Sequence, residues 1–237
     1  MDNQSYYDEF AAGYERERHH GYHKMIDELE LGFIRRYAEG GRVLEAGCGT
    51  GLLLREVAGF ARQAVGFDLS RGMLRPAHGR GLAVAQASVT HVPFADASFD
   101  AVYSVKVLAH VERIHEALAE LARVTRPGGT LLLEFYNSRS LRTLIKWLKP
   151  ATRISTRAPV DDEAVYTRYD SIDDIRGYLP PRVKITDVRG IRVVTPHALV
   201  HRVPGLGRAL RAVEEAAADA PWLRRFGGFL LVAARKM

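Results

Sequence analysis

Glycines at alternate positions 47, 49 and 51 stand between an apolar run that ends at Ala46 and a helical pattern that begins near Leu52. A strand, a glycine turn and a helix start together form a cradle for a nucleotide, because backbone N–H groups can approach the ligand where no side chain intervenes. The dinucleotide fingerprint Gly-x-Gly-x-x-Gly requires its third glycine at the position of Leu52. The spacing therefore disfavours NAD and indicates another nucleotide-containing cofactor.

Asp68 ends the second apolar run of the chain, shortly after the glycine turn. In a doubly wound sheet the ligand lies across the carboxyl ends of the strands, so a carboxylate at this position can accept hydrogen bonds from both hydroxyls of a ribose. Leu69 and Met73 follow, and we expect them to flank the base; the alternative is that both belong to the core. Asp68 is thus the second predicted contact of the cofactor.

Histidines are the candidate general bases, because the imidazole titrates near neutral pH. His110 follows the fourth predicted strand, and His23 lies in a run rich in tyrosine and histidine near the N-terminus. For each, a structural or solvent-exposed role is the competing interpretation. No metal site is predicted, because no carboxylate or thiolate pattern accompanies the histidines. Weaker candidates are His19, His20, His197 and His201.

Apolar runs alternate with helical patterns from residue 41 to residue 137, and strands this apolar are typical of a sheet buried on both faces. Strands and helices in alternation predict an α/β fold with a doubly wound, mostly parallel sheet of seven strands. Arg126-Pro127-Gly128-Gly129 predicts a turn before the fifth strand. The predicted strands are 42–46, 64–68, 82–86, 99–105, 129–136, 182–189 and 228–234.

Four regions are predicted along the chain. Residues 1–40 are expected to form a helical arm or lid, and 41–137 the cofactor-binding core. Residues 138–181 are expected to form a cap that begins with a basic amphipathic helix over 138–149. Residues 182–237 complete the sheet around a helical insert at 191–221.

The run Val-Leu-Glu-Ala-Gly-Cys-Gly-Thr-Gly at 43–51, with Glu45 before the glycines, resembles motif I of class I S-adenosylmethionine-dependent methyltransferases. Asp68 and the Arg-Pro-Gly-Gly turn occur in the order typical of that family. The stretch 88–100 resembles the small-molecule branch typified by the ubiquinone/menaquinone biosynthesis methyltransferases, known as methyltransferase type 11. The resemblance implies S-adenosylmethionine as cofactor, S-adenosylhomocysteine as product, and a Rossmann-like methyltransferase fold.

The resemblance also implies which residues contact the cofactor. Ser88 stands where the branch usually has an aspartate that accepts a hydrogen bond from the adenine amino group, and the N–H of Val89 is expected to serve the ring. Val105 is expected to contact the methionine end through its backbone. Cys48 lies within the turn and has a packing role by default. The full predicted set is Tyr14, Glu45, Gly47, Cys48, Gly49, Gly51, Asp68, Leu69, Met73, Ser88, Val89 and Val105.

Length and composition predict one substantial domain, since the chain has 237 residues of which 47% are hydrophobic. A single cysteine excludes an internal disulfide, and no run of about 18 apolar residues occurs, so we expect a cytoplasmic protein. A net charge of +6 permits a nucleic-acid or acidic-lipid partner. An acceptor that is hydrophobic or anionic is equally compatible with this charge.

The main interpretation is methyl transfer to an O, N or C atom of a small molecule, in natural-product or quinone-type metabolism. One alternative is a nucleic-acid methyltransferase, which is disfavoured because the Asn/Asp-Pro-Pro-Tyr motif is absent and the only cysteine lies in motif I. The other is a non-catalytic protein that binds the cofactor or docks on a membrane through the basic helix over 138–149. A monomer and a homodimer are both compatible with the sequence.

Overall fold

The computed structural model describes residues 7, 8, 11, 15, 21–140, 166–195 and 206–237. Within these residues the chain forms seven strands and six helices longer than one turn. The strands are β1 (Arg42–Ala46), β2 (Gln63–Asp68), β3 (Val84–Gln86), β4 (Phe99–Ser104), β5 (Thr125–Tyr136), β6 (Val183–Ile191) and β7 (Phe229–Lys236). The helices are α1 (Gly21–Ala38), α2 (Leu52–Ala58), α3 (Arg71–Gly79), α4 (Ile114–Val124), α5 (Ile172–Tyr178) and α6 (Leu206–Asp219). Short 3-10 helices cover Leu108–His110 and Arg224–Phe226.

All seven strands form one sheet in the order β3-β2-β1-β4-β5-β7-β6. Strands β1 to β5 pair in parallel, and β7 pairs antiparallel with both β5 and β6. The order reverses at β1, so the chain winds to one side and then to the other. The predicted doubly wound, mostly parallel sheet is confirmed, and the carboxyl ends of β1 to β5 share one edge.

Helices cover both faces of the sheet, because successive strand residues point to opposite sides. On β1, Val43 joins the apolar cluster that contains α1, whereas Leu44 joins the cluster that contains α4 and Ile175 of α5. Both of these β1 side chains are fully buried. The carboxyl edge of the sheet is therefore the place where polar side chains can meet a ligand.

Helix α1 differs from the predicted lid. Its apolar residues recur at helical spacing, with Met25, Leu29 and Phe33 among them, and they are buried against strand residues such as Tyr103. Residues 21–38 therefore form a helix that packs its apolar residues against one face of the sheet.

The Arg-Pro-Gly-Gly stretch at 126–129 lies inside β5 rather than before it. Phe99 pairs with Thr125 and Ala101 pairs with Thr130, so the four residues form an irregularity in the ladder. Gly128 has a φ of 74°, which glycine adopts without steric cost. The predicted turn before the fifth strand is therefore wrong, because β5 already begins at Thr125 and continues through this stretch.

The regions after β5 are partly described. Most of the basic helix predicted over 138–149 and part of the insert predicted over 191–221 lie outside the described residues. In the insert, the buried carboxylate of Glu214 on α6 accepts hydrogen bonds from the backbone N–H groups of Val193, Val194 and Thr195. The division into arm, core, cap and closing strands stays a prediction. Among the described helices, none combines the length and apolar character needed to cross a bilayer.

Candidate functional site

The glycine turn between β1 and α2 has left-handed backbone at each of its glycines. Gly47, Gly49 and Gly51 have φ values of 79°, 52° and 79°. The N–H groups of Gly47 and Cys48 both donate to the carbonyl of Phe67 on β2. The turn therefore depends on glycine for its conformation and on the neighbouring strand for its position.

The three glycines face different surroundings. A Cβ atom on Gly47 would lie 2.2 Å from a methyl group of Val107, and one on Gly51 would lie 2.4 Å from a methyl group of Leu82. At Gly49 the nearest atom would be Cε of Met73, at 3.3 Å. Gly47 and Gly51 are thus required by packing, whereas Gly49 has the most room for a ligand.

Asp68 lies at the end of β2 and supports the turn directly. Its Oδ2 accepts a hydrogen bond from the N–H of Gly49 at 2.8 Å, and its Oδ1 accepts one from the N–H of Ser70 at 2.9 Å. Burial raises the pKa of Asp68, and these backbone hydrogen bonds oppose the shift. Each carboxylate oxygen has a second lone pair, so the side chain can still accept one hydroxyl on each oxygen.

The side chains predicted at the base end differ in exposure. Leu69 is 39% exposed, which is unusual for leucine beside a buried strand, whereas Met73 is buried against the turn. The Ser88 hydroxyl is bonded to the Thr90 hydroxyl at 2.8 Å, and Val89 packs against the core. Leu69 is therefore the apolar surface that an adenine ring would cover at this strand end.

Glu45 and Cys48 are buried beside the turn. The Tyr103 hydroxyl donates to Oε2 of Glu45 at 2.8 Å, and burial raises the pKa of Glu45 to about 8 although this hydrogen bond opposes the shift. Cys48 lies over Gly66 of β2, where an added Cβ would be 2.8 Å from its sulfur. Burial raises the pKa of the thiol, so Cys48 has the packing role expected of it and is a poor nucleophile.

The segment after β4 forms the opposite wall of the turn. Val105 is buried, Val107 contacts Gly47, and Lys106 between them has a φ of 61°. The Lys106 N–H donates to Oε1 of Glu134 at 3.1 Å. This left-handed lysine lies at the position where the sequence predicts the methionine end of the cofactor.

His110 follows in the same segment and is oriented by the chain after residue 165. Its Nδ1 lies 3.0 Å from the carbonyl oxygen of Tyr166 and 3.2 Å from the Thr167 hydroxyl. A carbonyl only accepts, so Nδ1 carries the proton and Nε2 is the accepting nitrogen of the ring. Burial lowers the pKa of His110, which keeps the ring neutral, and the Tyr136 hydroxyl is the polar group 3.5 Å from Nε2.

Arg168 fixes the backbone around His110. Its N–H donates to the carbonyl of Ala109 at 2.8 Å, and its guanidinium donates to the carbonyls of Leu108 and Val111. The same guanidinium pairs with Asp170 at 2.8 Å. The 3-10 helix that carries His110 is thus clamped by residues of the predicted cap.

The described residues of the N-terminal arm contact the same region. The ring of Tyr7 lies edge-on to His110 with centroids 6.4 Å apart. Asp8 accepts hydrogen bonds from the Ser70 hydroxyl and from the N–H of Gly72 at the start of α3. Glu15 pairs with Arg80 at 2.7 Å. The arm therefore spans the site from the end of β2 to His110.

Other predicted residues are placed elsewhere or are not described. His23 lies on the exposed side of α1, with its ring edge-on to Tyr22 at 5.3 Å. The guanidinium of Arg192 covers the Tyr22 ring, 4.9 Å from its centroid. The predicted catalytic role of His23 stays a prediction. Tyr14, His19, His20, His197 and His201 lie outside the described residues.

Sequence reasoning missed a buried charged group behind the turn, formed by Glu30, Lys106 and Glu134 with Asp27. Lys106 Nζ lies 2.9 Å from Glu30 and 3.0 Å from Asp27. The available signal was a glutamate within the apolar run of β5 and another within the apolar stripe of α1. Tyr136 and Thr167 beside His110 were also missed, because only folding brings them together. Within the described part of the chain, no three metal-ligating side chains are grouped to hold an ion.

The family that matches this chain and the two relatives described here are methyltransferases. A family described as "Methyltransferase domain" matches residues 44–133. An O-methyltransferase of Penicillium expansum is 30% identical over 68% of this chain and 54% of its own length. A demethylmenaquinone methyltransferase of Mycobacterium marinum is 40% identical over 41% of this chain and 42% of its own. The chain spans about half the length of the curated relatives it matches.

A solved structure shares the fold over nearly the whole chain. It is described as a methyltransferase dependent on S-adenosylmethionine, possibly a histamine N-methyltransferase, from Thermotoga maritima. The TM-score is 0.70 with 19% sequence identity, and the alignment covers 98% of both chains. At this identity the likeness concerns the fold.

Proposed function

This chain belongs to the class I S-adenosylmethionine-dependent methyltransferases, and we propose that it methylates a hydroxyl oxygen of a small molecule with His110 as general base. The observation that carries the proposal is the neutral imidazole of His110, whose Nδ1–H is bonded to a backbone carbonyl, so that Nε2 is the unprotonated nitrogen of the ring. Among the relatives, the protein of Penicillium expansum is named as an O-methyltransferase.

The residues present fit S-adenosylmethionine as the cofactor. At Gly49 an added Cβ would meet only the flexible end of Met73, at 3.3 Å, and the oxygens of Asp68 are placed to accept the two ribose hydroxyls. The exposed Leu69 supplies apolar surface for the adenine. Glu45 lies buried beside the turn, and its raised pKa of about 8 keeps it mostly protonated in the free protein at neutral pH. These residues form the proposed cofactor site.

When bound, S-adenosylmethionine supplies a methyl group that its positively charged sulfur already activates. The protein then has to hold the acceptor in line with that group and to exclude water. Val105 and Val107 give this end of the site an apolar wall. Tyr7 of the arm and Tyr136 of β5 border the other side, next to His110.

His110 is suited to remove a proton from a hydroxyl acceptor. Its lowered pKa keeps Nε2 unprotonated near neutral pH, so the base form is present before the acceptor binds. The proton would pass from the acceptor oxygen to Nε2, and the positive ring would be stabilised through Nδ1–H by the Tyr166 carbonyl at 3.0 Å. The Tyr136 hydroxyl marks where a substrate hydroxyl can approach.

The rings around His110 favour an acceptor with an apolar or planar body. Tyr136 contacts both His110 and Phe229, with ring centroids 5.5 Å and 5.2 Å apart, and Tyr169 lies 5.9 Å from Tyr136. Aromatic surfaces of this kind bind flat apolar molecules well. An acceptor from quinone or natural-product metabolism would match this surface.

The proposal is tested by transfer of labelled methyl from S-adenosylmethionine to a panel of phenols, alcohols, amines and carbon acids. We expect product only with hydroxyl acceptors. Product formed only on nitrogen or carbon would refute the oxygen acceptor, and efficient labelling of RNA or DNA would replace the small-molecule assignment.

The base is tested with His110→Asn, whose amide can still donate to the Tyr166 carbonyl. We expect kcat to fall by roughly 10² to 10⁴, the usual contribution of a general base, with unchanged affinity for S-adenosylhomocysteine. His78→Asn, which changes an exposed histidine on α3, is the matched control. A kcat equal to that of the control would exclude His110 as the base.

A further inference from the structure

Glu30 and Glu134 form a buried pair of carboxyl groups behind the glycine turn. Glu30 on α1 is 0% exposed and Glu134 on β5 is 1% exposed. Lys106 binds each of them differently, since its Nζ lies 2.9 Å from Oε2 of Glu30 and its backbone N–H donates to Oε1 of Glu134 at 3.1 Å. One oxygen of each carboxyl group is thereby satisfied.

The two remaining carboxyl oxygens, one on each glutamate, indicate how many protons the pair holds. Glu30 Oε1 and Glu134 Oε2 are buried and receive no hydrogen bond from any donor group of the described residues, and the two side chains are paired with each other. Two ionised carboxylates in this position would leave both oxygens unpaired and would repel each other. One shared proton satisfies both oxygens at once.

The position of Lys106 indicates which of the two carboxyl groups carries the shared proton. The ammonium group contacts Glu30 and also Asp27, which favours the charged form of Glu30. Glu134 has only the backbone N–H of Lys106 on its other oxygen. Burial, together with the charge of Glu30, raises the pKa of Glu134 well above its ordinary value. Glu134 is therefore the acid that donates, and Glu30 is the carboxylate that accepts.

The group also holds a strained backbone. Lys106 is one of three non-glycine residues with positive φ in the described part of the chain, a conformation that brings the Cβ of an L-residue too close to its own backbone. Its N–H and its Nζ are both bonded to the buried acids. Val107, the next residue, contacts Gly47. The acids thus fix the direction of the chain where it meets the glycine turn.

We propose that Glu134 is a positioning residue, which stays protonated, shares its proton with Glu30 and holds Lys106 in the conformation that shapes the methionine end of the cofactor site. The role rests on the cofactor site and not on the identity of the acceptor. Glu134 acts through the backbone of Lys106 and therefore through the wall formed by Val105 and Val107.

Charged and titratable groups on all sides of Glu134 set its behaviour with pH. They are Glu30 and Asp27 on α1, Lys106 after β4, Glu45 on β1, and Tyr136 on β5 itself. Because the pKa of Glu134 is raised in the folded protein, its contribution to stability is present at low pH and is lost as the pH rises through the raised value. Affinity for the cofactor should be lost together with it.

The test compares variants of Glu134 by calorimetric binding of S-adenosylhomocysteine and by infrared spectroscopy of the free protein. Glu134→Gln is neutral, accepts from the Lys106 N–H and donates to Glu30, so we expect binding within about twofold of the wild type at pH 7. Glu134→Met removes both hydrogen bonds, and we expect at least about tenfold weaker binding. Glu56→Gln, on an exposed glutamate of α2, is the control.

Two further readouts separate positioning from packing. At pH 7 both Glu134 and the buried Glu45, whose pKa is about 8, should contribute to the C=O stretch of protonated carboxyl groups. The difference spectrum between the wild type and Glu134→Gln removes the part due to Glu45 and should contain a C=O band due to Glu134. Between pH 7 and pH 10, the wild type should lose more affinity than Glu134→Gln, which has no proton to release; Glu45 is present in both proteins and cancels in the comparison.

Three results would overturn the proposal. They are absence of the C=O band from the infrared difference spectrum of wild type and Glu134→Gln, binding by Glu134→Gln that is as weak as binding by Glu134→Met, and unimpaired binding by Glu134→Met. If Glu134→Met does not fold, the infrared band and the affinity of Glu134→Gln decide. None of these measurements uses methyl transfer, so a failed assignment of the acceptor leaves the test intact.

Discussion

Asp68 performs two tasks with one carboxylate. It holds the N–H groups of Gly49 and Ser70, at 2.8 Å and 2.9 Å, and in the proposed cofactor site its oxygens also accept the ribose hydroxyls. The backbone contacts orient the carboxylate before the ligand arrives. A site built in this way loses little conformational entropy when the ligand binds.

Replacement of Asp68 should separate these tasks. We expect Asp68→Ala to weaken binding of S-adenosylmethionine by about 1 to 3 kcal/mol, because a charge-assisted contact is lost. Asp68→Asn keeps one acceptor oxygen and should lose less. Isothermal titration calorimetry measures the affinity, and circular dichroism confirms the fold. Equal affinity of wild type and Asp68→Ala would show that the ribose is bound elsewhere.

Glu45 should make the stability of the free protein depend on pH. Its pKa is raised from 4.5 to about 8 by burial, so the folded protein holds a proton that the unfolded chain releases. The free energy of unfolding should therefore fall as the pH rises from about 4.5 through about 8. Glu45→Gln carries no titratable proton and should have a smaller decline in Tm over this range.

The contribution of Glu45 is the difference in Tm between the wild type and Glu45→Gln at each pH. Other buried acids, Glu30 and Glu134, have raised pKa values and remain in the variant, so part of the decline persists. Identical slopes of Tm against pH for wild type and Glu45→Gln would show that Glu45 is ionised in the free protein.

At the scale of elements, the site is the contact of two turns that follow neighbouring strands. The turn after β1 depends on glycine because Val107 from the turn after β4 fills the space beside Gly47. The turn after β4 depends in turn on Lys106, whose left-handed backbone is held by acids from α1 and β5. Each turn therefore has its shape only in the presence of the other.

Two glycine substitutions separate backbone strain from this contact. Gly40 and Gly47 both have left-handed backbone, but a Cβ on Gly40 would meet nothing within 4 Å, whereas one on Gly47 would clash with Val107. We expect Gly40→Ala to cost about 1 to 2 kcal/mol of stability. Gly47→Ala should cost about 1 to 3 kcal/mol more through overpacking.

Chemical denaturation measures both losses. Adding Val107→Ala to Gly47→Ala should recover part of the difference, because both methyl groups that the new Cβ would contact are then removed. If Gly47→Ala and Gly40→Ala are equally stable, the contact between the two turns does not contribute to the free energy of unfolding.

At the scale of the molecule, three separate parts of the chain meet at His110. The sheet supplies Tyr136, the arm supplies Tyr7, and the segment after residue 165 supplies Tyr166, Thr167 and Arg168. The cofactor residues, in contrast, come almost entirely from the carboxyl ends of β1, β2 and β4. Binding of the cofactor should therefore stabilise the sheet and the arm together.

Ligand binding should raise the melting temperature of the whole protein. At a concentration of S-adenosylhomocysteine one hundred times its Kd, the stabilisation is about 2.7 kcal/mol by mass action. Differential scanning calorimetry should show the rise for the wild type and a much smaller one for Asp68→Ala at the same concentration. A comparable rise with NAD would contradict the cofactor assigned from the glycine spacing.

Local sequence patterns were sufficient to predict the sheet and the glycine turn with Asp68 beside it. Alternating apolar runs define buried strands because a parallel sheet covered on both faces needs apolar residues at every position. Local geometry also defines the glycine turn, and Asp68 has its role because a strand ends there. These features depend on neighbours in the chain, and the structure places the turn and Asp68 together at the expected edge.

Tertiary structure alone decided what surrounds Lys106 and His110. Glu30 and Glu134 lie more than a hundred residues apart, and nothing in the local pattern of either predicts that they share a buried site. The same holds for His110 and Tyr166, which only the return of the chain brings together. Likewise, the sequence of α1 contains many charged residues and predicts a helix at the surface. In the structure its apolar residues pack in the core. Long-range contacts set pKa values and tautomers, so the chemistry of the acceptor side is a property of the fold.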